Sequence, residues 1–221
     1  GLGHANAHDA LSDVMATIEL ARLVRTKQPK LFDYLLAMRS KQQISKMVAS
    51  GPPFVYTSGK YPSELEKTTI VTTVLPHPKR QAVVVYDLRY DPKEYEDFTP
   101  AQLAESWRRW KPEEGVVLPV KTLQFNRCPA IAPLGVLDKK SENRLQIDMK
   151  VIMKNKQTLD TMSGWKIKLS SALEILDKMQ QERLLPDEQD VDNQLYDGFF
   201  DGQDKNIMQE VRMAKPSELN N

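Results

Sequence analysis

The chain has 221 residues, 40% hydrophobic and 28% charged, an ordinary composition for one or two globular domains with a real core. Its 31 basic and 30 acidic residues leave a formal net charge of +1, which excludes a global electrostatic pull toward nucleic acid, so any basic surface must be local. The single cysteine excludes an internal disulfide and fits a reducing cytoplasm, and no apolar run reaches the ~18 residues that a membrane span needs.

Leu11, Val14, Met15, Ile18 and Ala21 recur at three- and four-residue steps, which predicts one amphipathic helix over residues 8–25 with Asn6 as a ready N-cap. Gln28-Pro29 ends it, because the residue before a proline avoids the helical region. Residues 31–50 repeat the pattern through Leu31, Tyr34, Leu35, Met38, Ile44 and Met47, which predicts a second helix that stops at Gly51-Pro52-Pro53.

From Pro53 to about Leu134 the pattern shortens to strands. Phe54–Thr57 precedes the turn Ser58-Gly59, and Thr68–Leu75 and Ala82–Leu88 form a hairpin-like pair with a basic tip, His77-Pro78-Lys79-Arg80. Thr99-Pro100 opens a short helix to Trp110, and residues 116–125 supply a further strand. Short strands with one inserted helix predict a small, partly open β-barrel. Residues 141–183 return to helical periodicity, interrupted at Gly164, and residues 193–213 begin another helical part beyond Pro186. The fold class expected is α+β.

Charge is unevenly spread. Residues 21–47 carry Arg22, Arg25, Lys27, Lys30, Arg39, Lys41 and Lys46 against Asp33, whereas residues 182–204 are strongly acidic and expected as a solvated linker. Cys128, beside Pro129, is expected to be a small packing residue. Trp107, Trp110, Trp165, Phe199 and Phe200 are expected in the core, and His4 and His77 in solvent.

His8 and Asp13 stand in an H-x4-D spacing. Five residues of helix turn through about 500°, leaving the two side chains roughly 140° apart, so they converge only if His8 sits at or before the first turn. An imidazole with an ordinary pKa of about 6.5 can take a proton from water near neutral pH, and a carboxylate suits a hard cation. Asp9 is better placed to favour the helix N-terminus electrostatically.

The run Gly-His-Ala-Asn-Ala-His-Asp-Ala-Leu-Ser-Asp-Val-Met-Ala-Thr resembles the last catalytic motif of the DEDD exonucleases, in the subgroup with histidine at this point. Glu-Leu-Ala-Arg-Leu-Val-Arg-Thr-Lys-Gln-Pro-Lys-Leu-Phe-Asp-Tyr-Leu at 19–35 and Gln-Leu-Tyr-Asp-Gly-Phe-Phe at 194–200 are similar to the bacterial exonuclease I family. Weaker similarity runs between them, through Leu-Pro-Val-Lys and Asn-Arg-Cys-Pro.

The resemblance implies a Mg²⁺-dependent hydrolase of the cytoplasm, a 3′–5′ exodeoxyribonuclease that degrades single-stranded DNA to mononucleotides in DNA repair and recombination. It implies the end of an exonuclease domain over 1–28, an SH3-like β-barrel domain with added helices over 29–183, and the start of an all-helical domain over 187–221. His8 would be the general base and Asp13 a metal ligand. Lys41, Lys121 and Arg127 would line the DNA channel, with Tyr196 where the helical domain closes over it.

The family's other three acidic metal ligands would precede Gly1. A chain that opens there without Met is expected to be an inactive fragment, with no ordered Mg²⁺ of its own. The family also docks the acidic, apolar C-terminal tail of the single-strand DNA-binding protein, and Tyr34 matches one position of that pocket. Pro133 and Asp138 stand where its Gln and Arg align, which puts the site in doubt. The alternative from a different class is a non-catalytic single-stranded DNA- or peptide-binding module.

Overall fold

The structure, a computed structural model, describes residues 10–109, 113, 115–183 and 200–214. The chain divides into two compact units, Gly1–Leu173 and Glu174–Asn221.

The first unit opens with α1 (Ala10–Lys27), which packs against α2 (Pro29–Ala37). Pro29 sits at the start of α2, where its missing N–H costs nothing, and the Arg25 guanidinium lies 5.9 Å from the Phe32 ring centroid. No residue of α1 is buried: Leu11, Val14, Met15 and Ile18 are 69%, 54%, 47% and 38% exposed.

The helix expected over 31–50 is two helices, because Met38–Ser40 leaves the helical path and α3 (Lys41–Val48) starts afresh. The Ser40 hydroxyl accepts a hydrogen bond from the Gln43 N–H at 3.4 Å, the usual serine N-cap, and the apolar spacing runs through the break without marking it.

The strands β1 (Phe54–Thr57), β2 (Thr68–Pro76), β3 (Ala82–Asp87), β4 (Val120–Gln124) and β5 (Ala130–Pro133) form one antiparallel sheet in the order β4-β3-β2-β1-β5. Registers such as Tyr56↔Thr69, Tyr56↔Ile131 and Val85↔Lys121 put alternate residues on one face. There Phe54, Tyr56, Val71, Val83, Val85, Leu123 and Ile131 cluster with Met38, Ile44 and Val48. Each such aliphatic side chain, fully removed from water, contributes about 1.5–3 kcal/mol.

On the opposite face Tyr86 meets the Trp165 ring edge-on at 5.7 Å and the Tyr95 ring at 6.5 Å. Covered on both faces, β3 is buried along its whole length. A register shift in β2 between Thr73 and Leu75 marks a bulge, which bends and twists the strand.

Helix α4 (Pro100–Arg108) is closed by a reciprocal capping box: Gln102 N–H donates to the Thr99 hydroxyl at 3.3 Å, and Thr99 N–H to Gln102 Oε1 at 2.9 Å. Then come α5 (Lys139–Arg144) and α6 (Met149–Thr161). Buried Asn155 on α6 donates to the carbonyls of Leu88 at 2.9 Å and Tyr90 at 3.1 Å, fastening this helix to the exit of β3. Gly164, at φ +74, supplies the left-handed residue between α6 and α7 (Trp165–Arg183). In the second unit, α8 (Gly202–Met213) starts at Asp201, whose carboxylate accepts from the N–H groups of Gln203 and Asp204 at 2.8 and 2.9 Å.

Four further expectations need correction. His77 is buried, because the β2–β3 turn folds over it and its Nδ1 accepts the Lys79 N–H at 3.2 Å. Cys128 is exposed, held at φ +45 where the chain leaves a 3-10 turn (Phe125–Arg127). Phe200 is 50% exposed. Residues 116–119 precede the strand expected there, which begins only at Val120 where pairing with Tyr86 starts. Trp165 is in the core, as expected, while Trp110 and Phe199 lie outside the described residues.

Candidate nucleic-acid interface

Lys121 stands opposite Val85 in the β3–β4 register, on the same face as Tyr56. Its Nζ lies 4.5 Å from the Tyr61 ring centroid and 5.1 Å from that of Tyr56, and it donates to the Ser58 hydroxyl. The two rings meet edge to face, 5.6 Å apart at 88°. In strand order β4 and β1 are separated by β3 and β2, so this contact requires the sheet to curl toward a barrel.

The turn after β1 makes the cage. Tyr61 N–H donates to the Ser58 carbonyl at 2.9 Å, turning the Tyr61 ring back over the strand end, and the Thr57 and Thr68 hydroxyls meet at 2.9 Å across β1 and β2. Beneath lies a buried polar group: Asp87 accepts from the Thr69 hydroxyl at 2.6 Å and the Arg89 N–H at 3.1 Å. Arg89 Nη2 donates to the carbonyls of Thr68 at 2.6 Å and Leu145 at 3.2 Å. Burial, then the Asp87 charge, holds the Tyr61 hydroxyl well above its ordinary range, so it stays neutral.

Burial, with a smaller push from Lys60, brings the Lys121 ammonium down to about 8. The ring faces favour the charged form. Lys121 is therefore a cation at neutral pH, yet close enough to its titration for a modest rise in pH to discharge it.

Lys41 is the exposed first residue of α3, and Arg127 the exposed last residue of the 3-10 turn. Helix α3 packs on that turn, so the fold brings the elements bearing Lys41 and Arg127 together, whereas Lys121 is placed by the curl of β4 toward β1. Two exposed cations and one half-buried cation beside aromatic faces suit a phosphate backbone whose bases stack on rings.

Asp13 is exposed on α1, where its backbone carbonyl accepts the Thr17 hydroxyl at 2.8 Å. Among the described residues no three His, Cys, Asp or Glu side chains gather to hold a metal ion, so Asp13 alone does not fit one. His8 and Tyr196 lie outside the described residues.

Tyr34 donates its hydroxyl to the Ile131 carbonyl at 2.9 Å, with Met47 Sδ at 3.7 Å, so its polar end already joins α2 to β5. Pro133 ends β5, and Asp138 caps α5 by accepting the Ser141 N–H at 2.7 Å. Sequence reasoning missed Tyr56 and Tyr61. The signal was there in a strand tyrosine followed, past a Ser-Gly turn, by a second tyrosine.

Residues 39–175, well over half of the chain, match the family model "Exonuclease I SH3-like domain", and residues 189–221 match "Exonuclease I C-terminal domain". Exodeoxyribonuclease I of Haemophilus influenzae is 34% identical over 223 residues, which cover 98% of this chain and 46% of that protein. The zinc-bound form of an Escherichia coli exonuclease I–single-stranded DNA complex aligns with a TM-score of 0.79 at 31% identity, over 98% of this chain and 46% of that one. A complex of exonuclease I with the single-strand DNA-binding protein and an inhibitor aligns at 0.74 and 29% identity, over 97% and 44%. The chain thus spans about half the length of these relatives. Among the described residues no helix is long and apolar enough to cross a membrane.

Proposed function

Because the chain belongs to the exonuclease I family, we propose that it is the DNA-gripping part of a cytoplasmic 3′–5′ exodeoxyribonuclease that degrades single-stranded DNA to mononucleotides in DNA repair. Residues 1–28 end the exonuclease domain, 29–183 form the SH3-like domain and 187–221 begin the helical one. The observation that carries this reading is Lys121, held by Ser58 against Tyr56 and Tyr61 at the end of a curled sheet. With Lys41 and Arg127 it tracks the phosphates, and Tyr196 stacks on a base.

In the same reading His8 takes the proton of the attacking water, and Asp13 would be one of several carboxylates holding Mg²⁺, which would supply Lewis-acid polarisation of the phosphodiester. Among the described residues no metal-holding group forms around Asp13, so the expected outcome for the 221-residue chain by itself is no release of nucleotides. The acidic tail of the single-strand DNA-binding protein meets the side of Tyr34 not engaged with Ile131, at a site where Pro133 and Asp138 stand in place of the family's Gln and Arg.

The test is mononucleotide release from 3′-labelled single-stranded DNA with Mg²⁺, by this chain and by a protein extended upstream to include further acidic motifs. The extended protein should be active and lose ~10²–10⁴-fold in turnover with His8→Ala, the usual contribution of a general base. Activity in the 221-residue chain that His8→Ala abolishes would overturn the reading.

A further inference from the structure

Several lysines of this chain meet acids. Lys139 donates to Glu142 at 2.6 Å, Lys156 pairs with Asp160, and Lys154 stands 3.5 Å from Asp91. Lys121 differs. Among the described residues its Nζ meets no carboxylate, only the Ser58 hydroxyl and the rings of Tyr56 and Tyr61. Burial holds both phenols above their ordinary range, so neither supplies a phenolate to offset the ammonium, and the charge that acts on it from Lys60 is a like one.

A half-buried amine without a counter-charge is a nucleophile in waiting, because desolvation favours the form that carries a free lone pair. The turn after β1 fixes its contact. Ser58 N–H donates to the Lys67 carbonyl at 2.9 Å and Tyr61 N–H to the Ser58 carbonyl at 2.9 Å, so backbone bonds hold the hydroxyl that Nζ meets. The Lys121 side chain is only partly covered, which leaves a small reagent a way in. The ring faces of Tyr56 and Tyr61 offer a flat apolar seat for a planar acyl group. A site that carries a cation and no carboxylate draws an anionic donor over a neutral one.

We propose that Lys121 is an acylation site, which takes the acyl group of an acyl phosphate onto Nζ and thereby loses its grip on phosphate. The Nζ lone pair attacks the acyl carbon, the C–N bond forms and the C–O bond to phosphate breaks. One Nζ proton leaves with the departing phosphate, and the remaining N–H keeps Ser58 as its acceptor. The products are a neutral amide and inorganic phosphate, with nothing oxidised or reduced. The acylation stands on the cage alone, whereas its effect on DNA rests on the DNA-gripping reading of Lys121.

The experiment is incubation of the chain with acetyl phosphate at pH 8, with the acetylation rate of each lysine read by peptide mass spectrometry. Lys121, held at about 8, is about half free amine there, against under about one per cent for a lysine of ordinary pKa near 10.4, so it should react at least about tenfold faster than exposed Lys150. Ser58→Ala keeps the backbone bonds of the turn and should slow Lys121 without slowing Lys150. Treatment that labels Lys121 should weaken oligothymidine binding about fivefold, the worth of one phosphate contact, and should leave Lys121→Arg at its own untreated affinity. Acetylation of Lys121 no faster than that of Lys150, or a rate untouched by Ser58→Ala, would overturn the site. Fast acetylation with unchanged DNA affinity would leave the site standing and remove Lys121 from the DNA.

Discussion

Raising the pH from 7 to 9 should weaken binding of single-stranded DNA by discharging one side chain. Burial holds the Lys121 ammonium at about 8 against an ordinary 10.5, so the amine is mostly charged at pH 7 and about one-tenth charged at pH 9. One phosphate contact to a single strand carries a salt slope of roughly −0.7, which at ~0.1 M salt corresponds to about fivefold in affinity relative to 1 M. Losing that contact should therefore cost about fivefold between pH 7 and 9, and the salt slope should shrink by about 0.7 over the same interval. The assay is anisotropy with labelled oligothymidine at pH 7, 8 and 9. Lys121→Arg, whose guanidinium stays charged throughout, should abolish the pH dependence, and Lys121→Met should bind at pH 7 as the wild type does at pH 9. A wild-type affinity that is flat across this range, or a drop that persists in Lys121→Arg, would refute the placement of this cation on the DNA.

Asn155→Ala should destabilise the chain by about 1–3 kcal/mol in urea unfolding, because it leaves the Leu88 carbonyl without its donor while the Tyr90 carbonyl keeps the Tyr86 hydroxyl; a loss under about 0.5 kcal/mol would show that α6 is not fastened there. Gly164→Ala should cost about 1–2 kcal/mol purely through backbone strain at φ +74, since an added Cβ meets nothing within 4 Å, and an unchanged urea midpoint would mean the α6–α7 turn is not left-handed. The bare stripe Leu11, Val14, Met15 and Ile18 should either fray or bury itself against a second copy, so sedimentation should show self-association or amide exchange should be fast over α1; a monomer with strong protection throughout that helix contradicts both.

What was legible in the sequence is what neighbouring residues decide among themselves. The β2–β3 hairpin follows from two β-branched runs around His77-Pro78-Lys79-Arg80, and α4 from a threonine, a proline and a glutamine at capping-box spacing. The break at Met38–Ser40 was hidden because Ile44 and Met47 sit at helical spacing from Tyr34 and Leu35 whether or not the helix restarts. The short run Ala130–Pro133 carries little strand signal by itself and is a strand because β1 offers it an edge. Burial of His77, exposure of Cys128 and the enclosure of Lys121 by Tyr56 and Tyr61 all depend on how the sheet curls, which no local spacing encodes. For the candidate site, Lys41, Lys121 and Arg127 came from resemblance alone, and the geometry adds the rings.

The most direct test of the account is the salt dependence of oligothymidine binding by the chain and by Lys41→Ala, Lys121→Met and Arg127→Ala. Three phosphate contacts predict a slope of log affinity against log salt near −2, and each substitution should remove about 0.7 of it, whereas Lys150→Ala, an exposed lysine on α6, should leave it unchanged. Absence of binding at low salt, or a slope that none of the three substitutions alters, would contradict the claim that this chain grips single-stranded DNA through these residues.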